Sequence, residues 1–507
     1  MVRLSMLTGV VIIILHFSSP LLADEPASVN QDSAVQNILD ARIAGYFRAY
    51  ESGDAEAYAT WLRENRTEAA YAMAPVEARV EMFAFDVERW GGLELHSIEF
   101  PEPFVAVAMA QPRKGGLARR IMFEFEPNPP YRIGPMMIGV AVDIPAEWAT
   151  LDEFTEKLLE ATGVPAFAIG VMQDGKIVDQ AVLGERLVGS GEAVTSADTF
   201  HWGSIAKSVT GTMIGRLIEE GTLDWDTTIA DVLGDMPIRE EYRGATVSQL
   251  MSHEAGIQPY SDFTRELVDE IMAAAEGDTW TDKRRAFVSR VLMDEPVASP
   301  GEAHVYSNAG ITIAGYMAEV VTGQSWSELI RKHVFEPAGM TSAGFGWPAS
   351  PERPDQPRGH LGEDADAYEP RPFGQMEDLI ALLAPAGDIR SSVADLLRYG
   401  DFHLRGMRGE DGYLKAATVK GLHTPRPDSV PWGETFYTFG WGHDECSHFF
   451  DAPMCHAHNG GAGTFYAEIK IIPERNMVLA YMANAAEPSE AIAQDVLAAV
   501  YAHFAGQ

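Results

Sequence analysis

The spacing of apolar and polar positions divides the chain before composition is consulted. In "VQNILDARIAGYFRAY", Val35, Ile38, Leu39, Ile43, Tyr46 and Phe47 recur at three- and four-residue steps, the period of a helix with one apolar face. "SGDAEAYATWLRENRTEAAYAM" opens on Ser52 and Asp54, side chains suited to capping a helix start, and residues 31–74 read as helical throughout. "VEARVEMFAFDVERWGG" continues the helical period to a stop at Gly91 and Gly92. The period then shortens, and "LELHSIEF", "FVAVAMA", "LARRIMFEFE" and "YRIGPMMIGVAV" read as strands. Helices followed by a strand meander predict a small α+β unit over residues 24–145.

A second unit, residues 146–507, begins with a helix in "PAEWATLDEFTEKLLEATGVP" that stops at Gly163. Two apolar runs flank Asp174-Gly175, a strong hairpin signal. After Ser204, the residues Ile205, Val209, Met213, Ile214, Leu217 and Ile218 mark a helix that buries one face and stops at Gly221. Residues 226–343 are mostly helical, and residues 346–374 form a long loop rich in Pro and Asp, of the kind that makes functional rims or mobile segments. "GTFYAEIKIIP" and "NMVLAYMANA" read as a hairpin, and "PSEAIAQDVLAAVYAHFA" as a closing helix. The two groups of strands are expected to join in one antiparallel sheet with helices packed on it and a helical insertion between them, an α+β architecture. The first unit is loosely similar to cone-shaped accessory domains of the NTF2-like or cystatin-like kind.

Length and charge narrow the classes. At 507 residues the chain exceeds one ordinary core, while 46% hydrophobic and 22% charged residues suit a globular protein. Lys and Arg number 38 against 74 Asp and Glu, a net charge of −36, which excludes nucleic acid and anionic lipid as main partners. "MVR", the apolar run "LSMLTGVVIIILHF" and the small residues before Ala23 read as a signal peptide over residues 1–23. The run falls short of the ~20 apolar residues of a membrane span, so removal and a periplasmic or secreted destination are expected, with membrane attachment only if the signal stays uncleaved. Cys446 and Cys455 are the only cysteines; in an oxidising compartment they either form a disulfide or stay as two small thiols.

Three stretches carry candidate chemistry. "HWGSIAKSVTG" holds Ser204 and Lys207, three apart at the start of a helix, where a buried Lys can activate a nucleophilic Ser. "GEAHVYSNAG" places Tyr306 and Asn308 before another helix, as a candidate proton carrier and a candidate holder of a substrate amide. "HAHNGGAGTFYAEIKI" sets His458, Asn459, Gly460 and Gly461 on a glycine-rich strand, beside which substrate backbone can lie, and the N–H groups of Ser204 and Gly461 are candidates for an oxyanion hole.

The order Ser-x-x-Lys, Tyr-x-Asn, His-x-Gly resembles the serine β-lactamase and DD-peptidase superfamily, in the branch of class C β-lactamases, soluble DD-carboxypeptidases and related esterases. "TVSQLMSHEAGI", "SPGEAHVYSNAG", "PAGDIRSSVADLLRYG" and "YTFGWG" are similar to further stretches of that family. The resemblance implies an acyl-enzyme on Ser204 with proton transfer by Lys207 and Tyr306, and a substrate held by Asn308, His458, Asn459 and Gly460. It implies no cofactor. The substrate is a β-lactam, a D-amino-acid peptide or a small ester; a penicillin-binding or sensing module that acylates without turnover is the alternative.

Three departures stand out. "HEAG" replaces the family's H-T-S-G, a packing change; His201-Trp202 precede Gly203 and are expected to alter the rim of the site; and His458 stands where Lys is common. A His, with its ordinary pKa near 6.5, attracts a substrate carboxylate less than a Lys does. A further rival is a zinc-dependent hydrolase built on the His and Cys residues between 443 and 458, although strand alternation puts Cys455 and Asn459 on one face and His456 and His458 on the other.

Overall fold

The computed structural model describes residues 33–506 apart from Ala74, Asp262, 363–367, Gln375, 433–434, 445–449, Asp451 and Pro453. The expected signal peptide and Cys446 lie outside the described residues.

The first unit has helices α1 (Ser33–Ser52), α2 (Ala55–Asn65), α3 (Glu68–Met73) and α4 (Val76–Trp90). Asp54 caps α2 by accepting from the N–H groups of Glu56 and Ala57, and Gly91 ends α4 in the left-handed conformation that favours glycine. The helices cover an antiparallel meander of β1 (Leu93–Glu102), β2 (Val105–Pro112), β3 (Arg119–Phe125) and β4 (Ile133–Val140). Strand β2 alternates buried and half-buried positions, and its Ala106, Ala108 and Ala110 meet a core of Tyr46, Tyr50, Tyr58, Trp61 and Phe83.

The second unit is built on one seven-stranded antiparallel sheet. Helix α5 (Leu151–Thr162) leads into β5 (Ala166–Gln173) and β6 (Lys176–Gly184), joined at Asp174 and Gly175, both with positive φ as a tight hairpin turn requires. Then come α6 (Ala206–Glu219), α7 (Asn308–Thr322) and α8 (Val393–Met407). The chain returns through β7 (Phe436–Thr438), β8 (Trp441–Asp444), β9 (Cys455–Gly461), β10 (Tyr466–Ile472) and β11 (Met477–Ala483), and closes with α9 (Ser489–Ala505). The sheet order is β7-β8-β9-β10-β11-β5-β6.

Alternation splits the buried strands between two layers. Ala467, Ile469, Ile471, Val478 and Ala480 join the core around α6, while Tyr466, Ile472, Leu479 and Tyr481 join the core under α5 and α9. The periodicity of α6 predicts one buried face, yet Ala206 through Gly215 are all buried. The sheet lies on one side of α6 and the helical insertion on the others, and Ser208, Thr210 and Thr212 satisfy their hydroxyls within the core. The first unit meets α9 through the ion pair Arg120–Asp495, and the segment just before it through Arg89–Glu487.

Candidate active site

Residues 203–205 form a single 3-10 turn that feeds into α6. Gly203 has φ of +54°, and a side chain there would meet the backbone of Gly460 and Gly461 at 2.9–3.1 Å. A Cβ on Gly460 would lie 2.4 Å from the Ser204 nitrogen and 2.1 Å from the Trp202 carbonyl oxygen. Only two facing glycines allow β9 to pass this close to the nucleophile turn. The Ser204 peptide nitrogen therefore lies against Gly460, and Gly203 against Gly461.

Lys207 is fully buried one turn further on. Its Nζ donates to Ser204 Oγ at 2.9 Å and to the carbonyl of Ala386 at 2.8 Å, and sits 4.9 Å from the centre of the Tyr306 ring. Burial pushes the ammonium well below the usual lysine range. A neutral amine can accept the proton of the serine hydroxyl it touches.

Tyr306 hydrogen-bonds Ser204 from the opposite side, but burial, the larger effect, pushes its phenol up. A neighbouring ammonium lowers a phenol's pKa, but here the phenol's own burial outweighs any such effect. Behind Tyr306 stands His253, ring centres 4.4 Å apart, whose Nδ1 accepts from the Ser307 N–H. Burial, then the nearby His304, Lys207 and His458, holds His253 well below the usual imidazole range.

His458 and Tyr437 form the facing wall. His458 Nδ1 lies 2.5 Å from the Asn459 carbonyl, and its Nε2 lies 3.0 Å from the Tyr437 hydroxyl. A carbonyl only accepts, so Nδ1 donates to it, and Nε2 is paired with the Tyr437 hydroxyl. Tyr437 also packs on His253 and His304, and Trp432 stacks on His304. His253, His304, Tyr437 and Trp432 drew no chemical role from the sequence; the only signal was that three of them fall within the family-like stretches.

The remaining predicted residues are placed as follows. Asn308 begins α7, and its amide donates to the Tyr260 carbonyl at 3.3 Å. The side chain of Asn459, expected to bind substrate, turns to the other face of the sheet and donates to the Tyr466 hydroxyl at 3.1 Å. Strand alternation forces this, because Asn459 neighbours both His458 and Gly460, which face Ser204. His201 and Trp202 lie fully buried beneath the nucleophile turn and not on its rim: His201 Nδ1 accepts from the Gly203 N–H at 3.1 Å. Glu254 of "HEAG" is buried, accepts from the Val430 N–H, and is pushed up to about 7, chiefly by burial. Cys455 is disulfide-bonded, which removes it as a thiolate metal ligand. Among the described residues no group of three or more His, Cys, Asp or Glu is arranged to hold a metal.

This sheet and this cluster of Ser, Lys, Tyr and His define a serine acyltransferase-hydrolase class. Residues 151–503 match the β-lactamase family, and the chain belongs to it. The penicillin-binding protein 4 of Amycolatopsis lactamdurans is 30% identical over 346 residues, 67% of this chain and 86% of that protein. An unguisins hydrolase of Aspergillus violaceofuscus is 24% identical over 63% of this chain and 58% of its own length. The octameric penicillin-binding protein homologue from Pyrococcus abyssi superposes with a TM-score of 0.55 at 26% identity, covering 69% of this chain and 76% of that one.

Proposed function

We propose that the protein is an exported serine hydrolase that forms an acyl-enzyme on Ser204 from small esters and D-amino-acid amides, in preference to β-lactams. Lys207 takes the serine proton, Tyr306 returns a proton to the leaving group, and the N–H groups of Ser204 and Gly461 hold the oxyanion. Asn308 holds the acyl chain. The observation that carries the substrate class is the engagement of His458: its Nε2 is occupied by Tyr437 and its Nδ1 by the Asn459 carbonyl. An imidazole with both nitrogens engaged has no free donor to turn toward a substrate carboxylate, a group that β-lactams and D-Ala-D-Ala peptides both carry.

The test is a parallel assay of p-nitrophenyl acetate, a D-alanyl anilide and nitrocefin, with Ser204→Ala as the blank. The ester and the anilide are expected to exceed nitrocefin in kcat/KM by about 10² or more, a loss on the scale of one missing charged contact. Nitrocefin turnover matching the ester would sink the preference. The resemblance to penicillin-binding protein 4 supports a second reading, a site that acylates and stalls; a stoichiometric burst with no steady turnover of any of the three is its signature.

A further inference from the structure

The first unit contains a buried cation that makes no ion pair with a carboxylate among the described residues. Arg66 follows α2, is only 3% exposed, and its backbone is bridged to Ile133 at the start of β4. Its Nε and Nη1 are buried and have no hydrogen-bond partner. The groups acting on its charge are Arg79, Tyr58, Tyr71 and Tyr46, and none is a carboxylate. Burial, then Arg79, pushes the guanidinium down to about 10.

Two other buried arginines are paired with carboxylates. Arg284, equally buried, meets Glu319 through two nitrogens at 3.0 and 2.7 Å and the Ala381 carbonyl through the third. Arg371 meets Glu377 at 3.1 Å. An unpaired buried charge is among the most costly features a fold can carry.

The surroundings of Arg66 share its sign. Tyr71, half-buried at the same end of the unit, feels Arg66, Arg79, Arg63 and Arg132, all of which favour its ionised form. Four arginines converge here in a chain whose net charge is −36. Tyr71 and Arg79 are half-exposed, while Tyr46, Tyr58 and Arg66 are buried. The Tyr46 hydroxyl, also fully buried, is engaged with Tyr50, whose own hydroxyl donates to Asp86 at 2.9 Å.

We propose that this end of the first unit is an anion-binding site, in which the carboxylate or phosphate group of a small molecule completes Arg66. The guanidinium supplies two unpartnered N–H donors, and the neighbouring arginines draw anions in. The site is separate from Ser204 and uses none of its residues.

The experiment is thermal melting of the full chain in phosphate, sulfate or acetate, at ionic strength held constant with sodium chloride. At least one of the three is expected to raise the midpoint saturably, by about 3 °C or more, and Arg66→Gln to lose that rise while keeping Ser204-dependent ester hydrolysis. A response to acetate alone identifies a carboxylate site, and a response to phosphate or sulfate a phosphoryl-type one. Arg66→Met, which removes an uncompensated charge, is expected to melt no lower than wild type in anion-free buffer. No saturable rise with any of the three, an equal rise in Arg66→Gln, or a much lower melting point for Arg66→Met without anion would each overturn the proposal. Should Arg66→Gln fail to fold, calorimetric titration of wild type decides, and an absence of saturable heat with all three anions rejects the site.

Discussion

At the scale of single residues, the site rests on one amine whose pKa is lowered by burial. Ser204→Ala is expected to abolish acylation while circular dichroism and melting stay close to wild type, since its hydroxyl lies at the cleft and fills no core space. Tyr306→Phe is expected to slow kcat/KM by about 10² to 10⁴, the usual worth of positioned proton transfer, read with p-nitrophenyl acetate. Lys207 makes a pH prediction with a definite sign. Its folded pKa lies below its unfolded value, so the unfolded chain binds the extra proton and stability rises with pH between the two. Lys207→Met should therefore be inactive yet melt higher than wild type at pH 7, with the gain shrinking toward pH 10; a lower melting point at pH 7 would contradict the buried neutral amine. The spacing of Ser204 and Lys207 was legible in the sequence from helix geometry and nucleophile chemistry, and Tyr306 joined them through the family resemblance. The direction of the Tyr306 shift and the capture of His458 by Tyr437 were not, since both depend on burial and on contacts between segments far apart in the chain.

At the scale of elements, the chain's period revealed most helices and strands, with the Asp174-Gly175 turn and the caps at Asp54 and Gly163 falling where side-chain chemistry puts them. It under-read α6, because small polar residues that bond backward to their own helix look exposed in a pattern yet sit comfortably in a core. The close crossing of β9 over the nucleophile turn yields a sharp prediction. Gly460→Ala must push Trp202 and Ser204 away, and turnover should fall by at least about 10² with the fold intact, as kinetics and circular dichroism together would show. Helix α8 carries a second consequence. His403 accepts or donates at Thr212 (3.1 Å) and at His423 (2.9 Å), and the His423 ring packs on Trp441 and His456. Burial holds His403 down to about 3 and His423 well below its ordinary value. The unfolded chain takes up these protons below pH 6.5 and the folded chain refuses them, so each costs stability as pH falls, by about 1.4 kcal/mol per unit. His403→Gln should flatten the loss of melting temperature between pH 7 and pH 5; an unchanged slope would remove these rings from the account.

At the scale of the whole molecule, a net charge of −36 makes self-repulsion a general burden on the folded state. The melting point is expected to rise from 10 mM to 500 mM sodium chloride, as salt screens that repulsion more than it weakens exposed pairs such as Arg89–Glu487 and Arg120–Asp495. Neither pair announces itself in the sequence, since each joins segments hundreds of residues apart. The sheet itself has a consequence for biosynthesis. Strand β5 pairs with β11 from Phe167↔Ala483 to Gln173↔Met477, so its neighbour on one side is translated some three hundred residues later. A nascent chain that has emerged only as far as residue 450 already displays Ser204 and Lys207, but no Gly460 backbone to set them against. The helical first unit can be complete on the ribosome while the hydrolase unit waits for its last strands, and competence for acylation arrives only at the end of synthesis.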